Sequence, residues 1–377
     1  MRLTRDQLEG LKAKFGVDKL WSYSRLSTFA ERPFEYRVAY LEKSARSSSV
    51  YTEWGTHCHD LVQDAYTGVY GFDEMGSKFD EMLKGWRADS KGYSFPTKSI
   101  EDSYFANIHH YYHNPLPIDC EMTCEKPILY RLEDDNGNPI VFIGYVDGEY
   151  WGVDEEGNKK YYVVDFKSSS KSGFGGKQLA EKSRQLKLYA AAISQQRGIP
   201  IDDIICRFDM LKYVDVYYHQ KNGKWKPSKQ ERRNWVKTQE KKIRTLMLEA
   251  GEDLVMIDLE VEQAIYDNTI DGLPSYVKDK FRIDNCYIDV DVTKEDVEDL
   301  NRFIIENVTK CEELEKGDWE TNFPEPPLEE LDSFYYNVLA PQIQSKSKVW
   351  QENKVLKDRT SSITETESED FFDELFS

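Results

Sequence analysis

From Cys124 onward the chain alternates short β-branched and aromatic runs with turn clusters. "CEKPILYRLEDDNGNPIVFIGYVDGEYW" holds two β-rich runs split at Asn136-Gly137, and Glu156-Gly157-Asn158 separates the second run from "KKYYVVDFK". Such spacing predicts three strands in an antiparallel meander. After "KSGFGGK" the pattern changes period: "QLAEKSRQLKLYAAAISQQRG" is rich in helix formers and stops at Gly198 ahead of Pro200, which predicts a helix. "IICRFDMLKYV" then predicts a strand reached by a crossover, and so parallel to the strand before the helix. Upstream, "WGTHCHDLVQDAY" predicts a further helix. The order helix, three strands, helix, strand describes an α/β core with a mixed sheet flanked by helices, over residues 1–212.

Residues 213–285 read as an elaboration on that core. "VDVYYHQKNGKWK" predicts a hairpin around Asn222-Gly223, and Ser228 with Glu231 makes a capping box for a helix running to about Ala250. Trp235, Gln239, Ile243 and Leu246 share one face of this helix; Arg233, Lys237, Lys241 and Arg244 share the opposite one. That basic line is either a solvated face or a DNA-contacting stripe. Residues 286–342 are expected to be helical and to pack on the core, with a helix capped by Thr293 and Asp296 and running to about Lys316. Residues 343–377 turn polar and acidic, ending in "SSITETESEDFFDELFS", the composition of a disordered tail whose aromatic tip could dock a protein partner.

Composition changes this picture in three ways. Aromatic residues make up 13% of the 377, with 24 Tyr and 8 Trp, which is the composition of a folded chain. No apolar run approaches the roughly 20 residues needed to span a bilayer, and "MRLTRDQLEG" lacks a signal-peptide core, so a cytoplasmic location is expected, the host's if the chain is phage-encoded. Net charge is −19 but segregated: residues 159–245 carry 21 Lys+Arg against 8 Asp+Glu, while 246–377 carry 12 against 34. A basic block inside an acidic chain can bind phosphate locally. Of the 6 cysteines, Cys120 and Cys124 form a C-x3-C pair without the further ligands that a zinc site needs.

The chemistry gathers at the strand ends. In "YYVVDFKSSS" a strand closes with Asp165 and Lys167 on one face, because side chains alternate with period two. "FIGYVDGEYW" brings Asp147 to the end of the neighbouring strand, so a hairpin can juxtapose the two carboxylates. Two acids and a backbone carbonyl suit Mg2+ or Mn2+, and an imidazole such as that of His59 favours Mn2+. A lysine beside such an ion can position water and offset charge developing on phosphate.

Gly55-x3-His59, Gly144-x2-Asp147, Asp165-x-Lys167 and Gln185-x3-Tyr189, in that order and on those elements, resemble the RecB-like branch of the PD-(D/E)XK nuclease superfamily, which includes the RecB and AddB nuclease domains and the CRISPR-associated Cas-four-type exonucleases. "YSRLSTFAERPFEYRVAYL" is similar to the family's N-terminal segment, and the likeness covers roughly residues 21–212. The resemblance implies a restriction-endonuclease-like core in which His59, Asp147, Asp165 and the main-chain carbonyl of Phe166 bind the metal. It implies that Lys167 acts on the attacking water and that Gln185 and Tyr189 organise the site or touch DNA; Glu125 is a possible supporting acid or an exposed strand-end glutamate. Many relatives carry an iron–sulfur cluster, but Arg32 stands where a cysteine would often stand and "NFPEPPLEELDSFYYNVLAPQ" has none, so no cluster is expected. "GFGGKQ" is no P-loop.

The expectation is a metal-dependent deoxyribonuclease, an exonuclease on single-stranded DNA or DNA ends, in phage or bacterial replication, recombination or repair. An endonuclease of the same fold and a non-catalytic DNA-binding or scaffold protein are the alternatives.

Overall fold

A computed structural model of the chain describes residues 2–89 and 92–355. Two hairpins of one design start the β structure. β1 (Lys126–Glu133) turns into β2 (Pro139–Val146), and β3 (Gly148–Val153) turns into β4 (Lys159–Lys167). Each turn reads Asp-x-x-Gly-Asn. Asp134 and Asp154 each accept main-chain N–H groups two and four residues on, and Gly137 and Gly157 take φ of 79° and 84°, which glycine adopts without strain.

The expected three-strand meander is not formed. The second β-rich run bends at Asp147 into β2 and β3, which join different sheets: β1 and β2 make a two-stranded sheet, while β3 and β4 belong to a five-stranded one. The free edge of β2 is taken by Trp21, whose N–H donates to Val141 O at 2.8 Å and whose carbonyl accepts from Ile143 N at 2.7 Å. Residue alternation marks a strand but carries no record of which neighbour takes its hydrogen bonds.

Along the larger sheet the order is β3, β4, β5 (Ile204–His219), β6 (Trp225–Glu231), with β7 (Phe281–Asp291) also pairing β5. β4 and β5 are parallel from Tyr161↔Ile204 to Lys167↔Met210, joined as expected by a crossover helix. In chain order the longer helices are α1 (Arg5–Phe15), α2 (Tyr23–Glu31), α3 (Val50–Tyr66), α4 (Met75–Ala88), α5 (Lys98–His113), α6 (Gly176–Arg197), α7 (Trp235–Glu249), α8 (Leu254–Asp267) and α9 (Lys294–Glu315). α6 is the crossover helix and ends at Gly198 in the left-handed conformation, φ 68°.

β4 is buried on both faces, which is why it reads as a continuous apolar run. Tyr161 and Val163 face the core that holds α6, α2 and α9, whereas Tyr162, Val164 and Phe166 face the core under α3, α4 and α5. A third core joins Val214, Val216 and Phe281 to Trp235, Ile243 and Ile257 of α7 and α8. The expected Ser228–Glu231 capping box is absent: both residues lie in β6, paired with Val216 and Tyr213, and the helix begins only at Trp235. Strand pairing outweighs the local cap. The Thr293–Asp296 capping box does open α9, which packs on α6 and α2.

The segment expected as a tail from 343 begins instead as packed helix. Residues 341–344 and 348–355 are helical, with Ile343 and Ser347 fully buried, and residues 356–377 lie outside the described residues. No described helix is long and apolar enough to cross a membrane.

Candidate active site

Sheet register brings the two acids together. Gly148 of β3 pairs with Val164 of β4, so Asp147, in the bend just before β3, stands at the level of Asp165. The main-chain N–H of Phe166 donates to Asp147 Oδ2 at 3.3 Å and ties the bend to β4. α3 supplies the imidazole: Ser49 caps its start, and Trp54, Cys58, Leu61 and Val62 seat it in the core, leaving His59 at the margin facing the strand ends. His59 Nδ1 lies 3.1 Å from Asp147 Oδ2, and Nε2 lies 2.6 Å from Phe166 O.

One ligand atom each from His59, Asp147 and Asp165 falls within 4.8 Å of the other two. Together with the Phe166 carbonyl, the donor set of two carboxylates, one carbonyl and one imidazole fits Mg2+ or Mn2+. The Phe166 side chain does separate work: it is 2% exposed in the core, where truncation would cost about 3–5 kcal/mol.

Charges within the site oppose one another. Burial pushes the Asp165 carboxyl up to about 6, with Lys167 pulling it down and Asp147 pushing it up. Burial also raises Asp147, but the hydrogen bond and charge of His59 outweigh it and hold that carboxyl below its usual range. Burial lowers Lys167 and His59, yet the acids beside them win and both pKa values are raised. Lys167 Nζ sits 2.7 Å from Asp165 Oδ2. The crowding of two carboxylates is what a divalent cation relieves.

α6 covers the site from the other core. Gln185 Nε2 donates to Tyr189 Oη at 2.8 Å, one helical turn apart. Tyr189 packs against Gly144, where an added Cβ would stand 2.6 Å from its ring, so this glycine is required by the tyrosine. Gly55 differs: a Cβ there meets nothing within 4 Å. Glu125 takes a positive φ of 50° and accepts from Arg2 Nε at 3.1 Å. Cys120 and Cys124 are half-buried, and burial pushes their thiols up to about 11 and about 12.

Sequence reasoning missed Lys182. Its ammonium lies 4.2 Å from the Phe174 ring centroid, and burial, with the charge of Lys167, lowers its pKa. The signal was available: Lys182, Gln185 and Tyr189 follow the three-and-four spacing of one helix face. The line Arg233, Lys237, Lys241, Arg244 is more neutralised than its spacing suggests. Arg233 lies before α7 and pairs with Glu231 at 2.6 Å, and Arg244 Nε lies 2.9 Å from Glu240. Lys237 approaches Glu240 only to 3.7 Å, and Lys241 is exposed.

A family model described as PD-(D/E)XK nuclease superfamily matches residues 20–322, a span that runs from just before α2 to beyond α9. No curated protein matches the chain.

Proposed function

The chain belongs to the PD-(D/E)XK nuclease superfamily, and on that footing we propose that it is a metal-dependent deoxyribonuclease of the RecB-like branch, acting as an exonuclease on single-stranded DNA or DNA ends. The observation that carries this reading is the convergence of Asp147, Asp165 and His59 around the Phe166 carbonyl, with Lys167 on Asp165. His59, Asp147, Asp165 and the Phe166 carbonyl would hold Mg2+ or Mn2+. When bound, such an ion polarises the phosphate and lowers the pKa of water.

The protein's own groups do the rest. Lys167 turns its ammonium toward the space beside Asp165, where it orients the attacking water and offsets negative charge growing on the phosphate. Asp165 accepts a hydrogen bond from that water and fixes its line of approach. Gln185, held by Tyr189, and Lys182 lie on the α6 face that overlooks this space and are suited to grip the scissile strand. Lys237 and Lys241, the exposed cations of α7, would contact the DNA backbone.

A role in phage or bacterial DNA replication, recombination or repair, and a partner bound through the acidic C-terminal tail, complete the proposal. The test is cleavage of end-labelled single-stranded, linear duplex and circular DNA with Mg2+, Mn2+ or EDTA, for the native chain and Asp165→Ala. Metal-dependent loss of linear DNA alone, abolished by the substitution, is the expected result. Cleavage of circles would replace the exonuclease with an endonuclease. No Asp165-dependent cleavage of any substrate would favour a binding or scaffold protein.

A further inference from the structure

Two histidines one helical turn apart lie outside everything described above. His109 and His113 are at i and i+4 on α5, their rings stacked with centroids 3.9 Å apart. α4 presents Asp80 to both: Oδ2 is 3.1 Å from His113 Nε2, and Oδ1 is 4.0 Å from His109 Nε2. One ligand atom from each of the three lies within 4.8 Å of the other two.

Gly76, one turn before Asp80 on α4, is the second observation. A Cβ there would stand 2.7 Å from His113 Nδ1 and 2.9 Å from Cε1. Glycine inside a helix costs about 0.5–1 kcal/mol relative to alanine. Here the missing side chain lets the His113 ring lie against α4 with Nε2 turned to Asp80.

We propose that Asp80, His109 and His113 form a second divalent-metal site, for an ion of the Zn2+ class, separate from the Asp147–Asp165 centre. Two imidazoles and one carboxylate make a softer donor set than the oxygen-rich centre, and favour Zn2+ over Mg2+. Bonds of about 2.0–2.1 Å in a tetrahedral ion place ligand atoms about 3.3 Å apart. The His113–Asp80 pair is near that spacing, and rotation of the exposed His109 ring closes the remainder. Three protein ligands leave a fourth position for water. The ion clips α4, which packs on α3, to α5, which packs on β5, so it acts on the stability of that layer and not on hydrolysis.

The ordinary alternative is a surface ion pair between Asp80 and an imidazolium. Calorimetric titration of Zn2+ into the full chain separates the two, with His109→Ala/His113→Ala, Gly76→Ala and Asp165→Ala as variants and melting curves without metal as the check on folding. The native chain is expected to show one more Zn2+-binding event than His109→Ala/His113→Ala, and Asp165→Ala keeps that event. Gly76→Ala retains all three ligands yet weakens the event at least about tenfold, the lower range of what even outer-shell changes cost. Mg2+-dependent cleavage is unchanged in the double variant. An isotherm for the double variant that superimposes on the native one overturns the site, and so does loss of the same event in Asp165→Ala. Should the double variant fail to fold, Gly76→Ala decides, and unchanged Zn2+ affinity there overturns the site.

Discussion

Nε2 of His59 lies 2.6 Å from the main-chain oxygen of Phe166. That oxygen only accepts, and against the effect of burial the Asp147 carboxylate beside Nδ1 raises the His59 pKa, which favours the form of the ring in which both nitrogens donate. A divalent ion at this centre must displace a proton from His59 and compete with the proton that Asp165 retains up to about 6. Because the His59 pKa is raised, its stabilising contribution without metal is complete below its unfolded value of about 6.5 and is lost as pH rises through the folded value. The rise in Tm caused by Mn2+ is therefore expected to grow from about pH 5.5 to about pH 8. Melting curves with and without Mn2+ across that range check it, and a shift independent of pH would contradict the assignment.

Lys167 bridges to Asp165 at 2.7 Å, so its loss affects charge and water position together. Lys167→Ala is expected to lower kcat by about 10²–10³-fold, the range for removing one group that stabilises developing charge, with little change in KM. Metal affinity should survive, since lysine is not among the ligands. Steady-state kinetics alongside Mn2+ titration would test both halves, and a loss confined to KM would argue against the role.

Gly144 and Tyr189 are in close contact, with 2.6 Å available where a Cβ would go. Gly144→Ala must displace the ring and with it the Gln185 hydrogen bond. Overpacking of this kind costs about 1–3 kcal/mol, and a fall in activity should accompany the fall in stability. Urea unfolding together with cleavage assays measures both; Tyr189→Phe, which keeps the ring but removes the hydroxyl, separates packing from the hydrogen bond.

Asp209 stands opposite Phe166 in the parallel register, 2% exposed, and among the described residues its Oδ1 finds no hydrogen-bond partner. Burial pushes its carboxyl up to about 7 against the pull of Arg232 and Arg207. A raised acid pKa means the folded state holds its proton longer, so this group lowers stability as pH climbs from about 4 to about 7. Asp209→Asn is expected to match the native protein near the bottom of that window and to exceed it above. Urea midpoints at both ends provide the comparison, and a gap independent of pH would remove Asp209 as its source.

Lys237 is 64% exposed along its side chain and Lys241 is exposed, while Arg233 and Arg244 pair with acids. If α7 lies on the DNA path, Lys237→Glu/Lys241→Glu should weaken DNA binding and flatten the slope of log affinity against log salt by about 2. Affinity measured across a salt series with Asp165→Ala to prevent cleavage gives the answer. An unchanged slope would return this helix face to ordinary solvation.

The sequence by itself determined the local elements: the two Asp-x-x-Gly-Asn turns, α6 with its glycine stop, the Thr293 cap, and the strand end that puts Asp165 and Lys167 on one face. These follow from side-chain period, capping chemistry and φ preference, which act over a few residues. Only the tertiary structure decided that Asp147 lies in a bend between two sheets, because Trp21 takes the free edge of β2. It also decided that Ser228 is strand and not cap, and that Arg244 meets Asp258 of α8. Each of these depends on which distant segment supplies a hydrogen bond or a counter-charge, a choice made by burial and pairing across the whole fold that no short stretch of residues records.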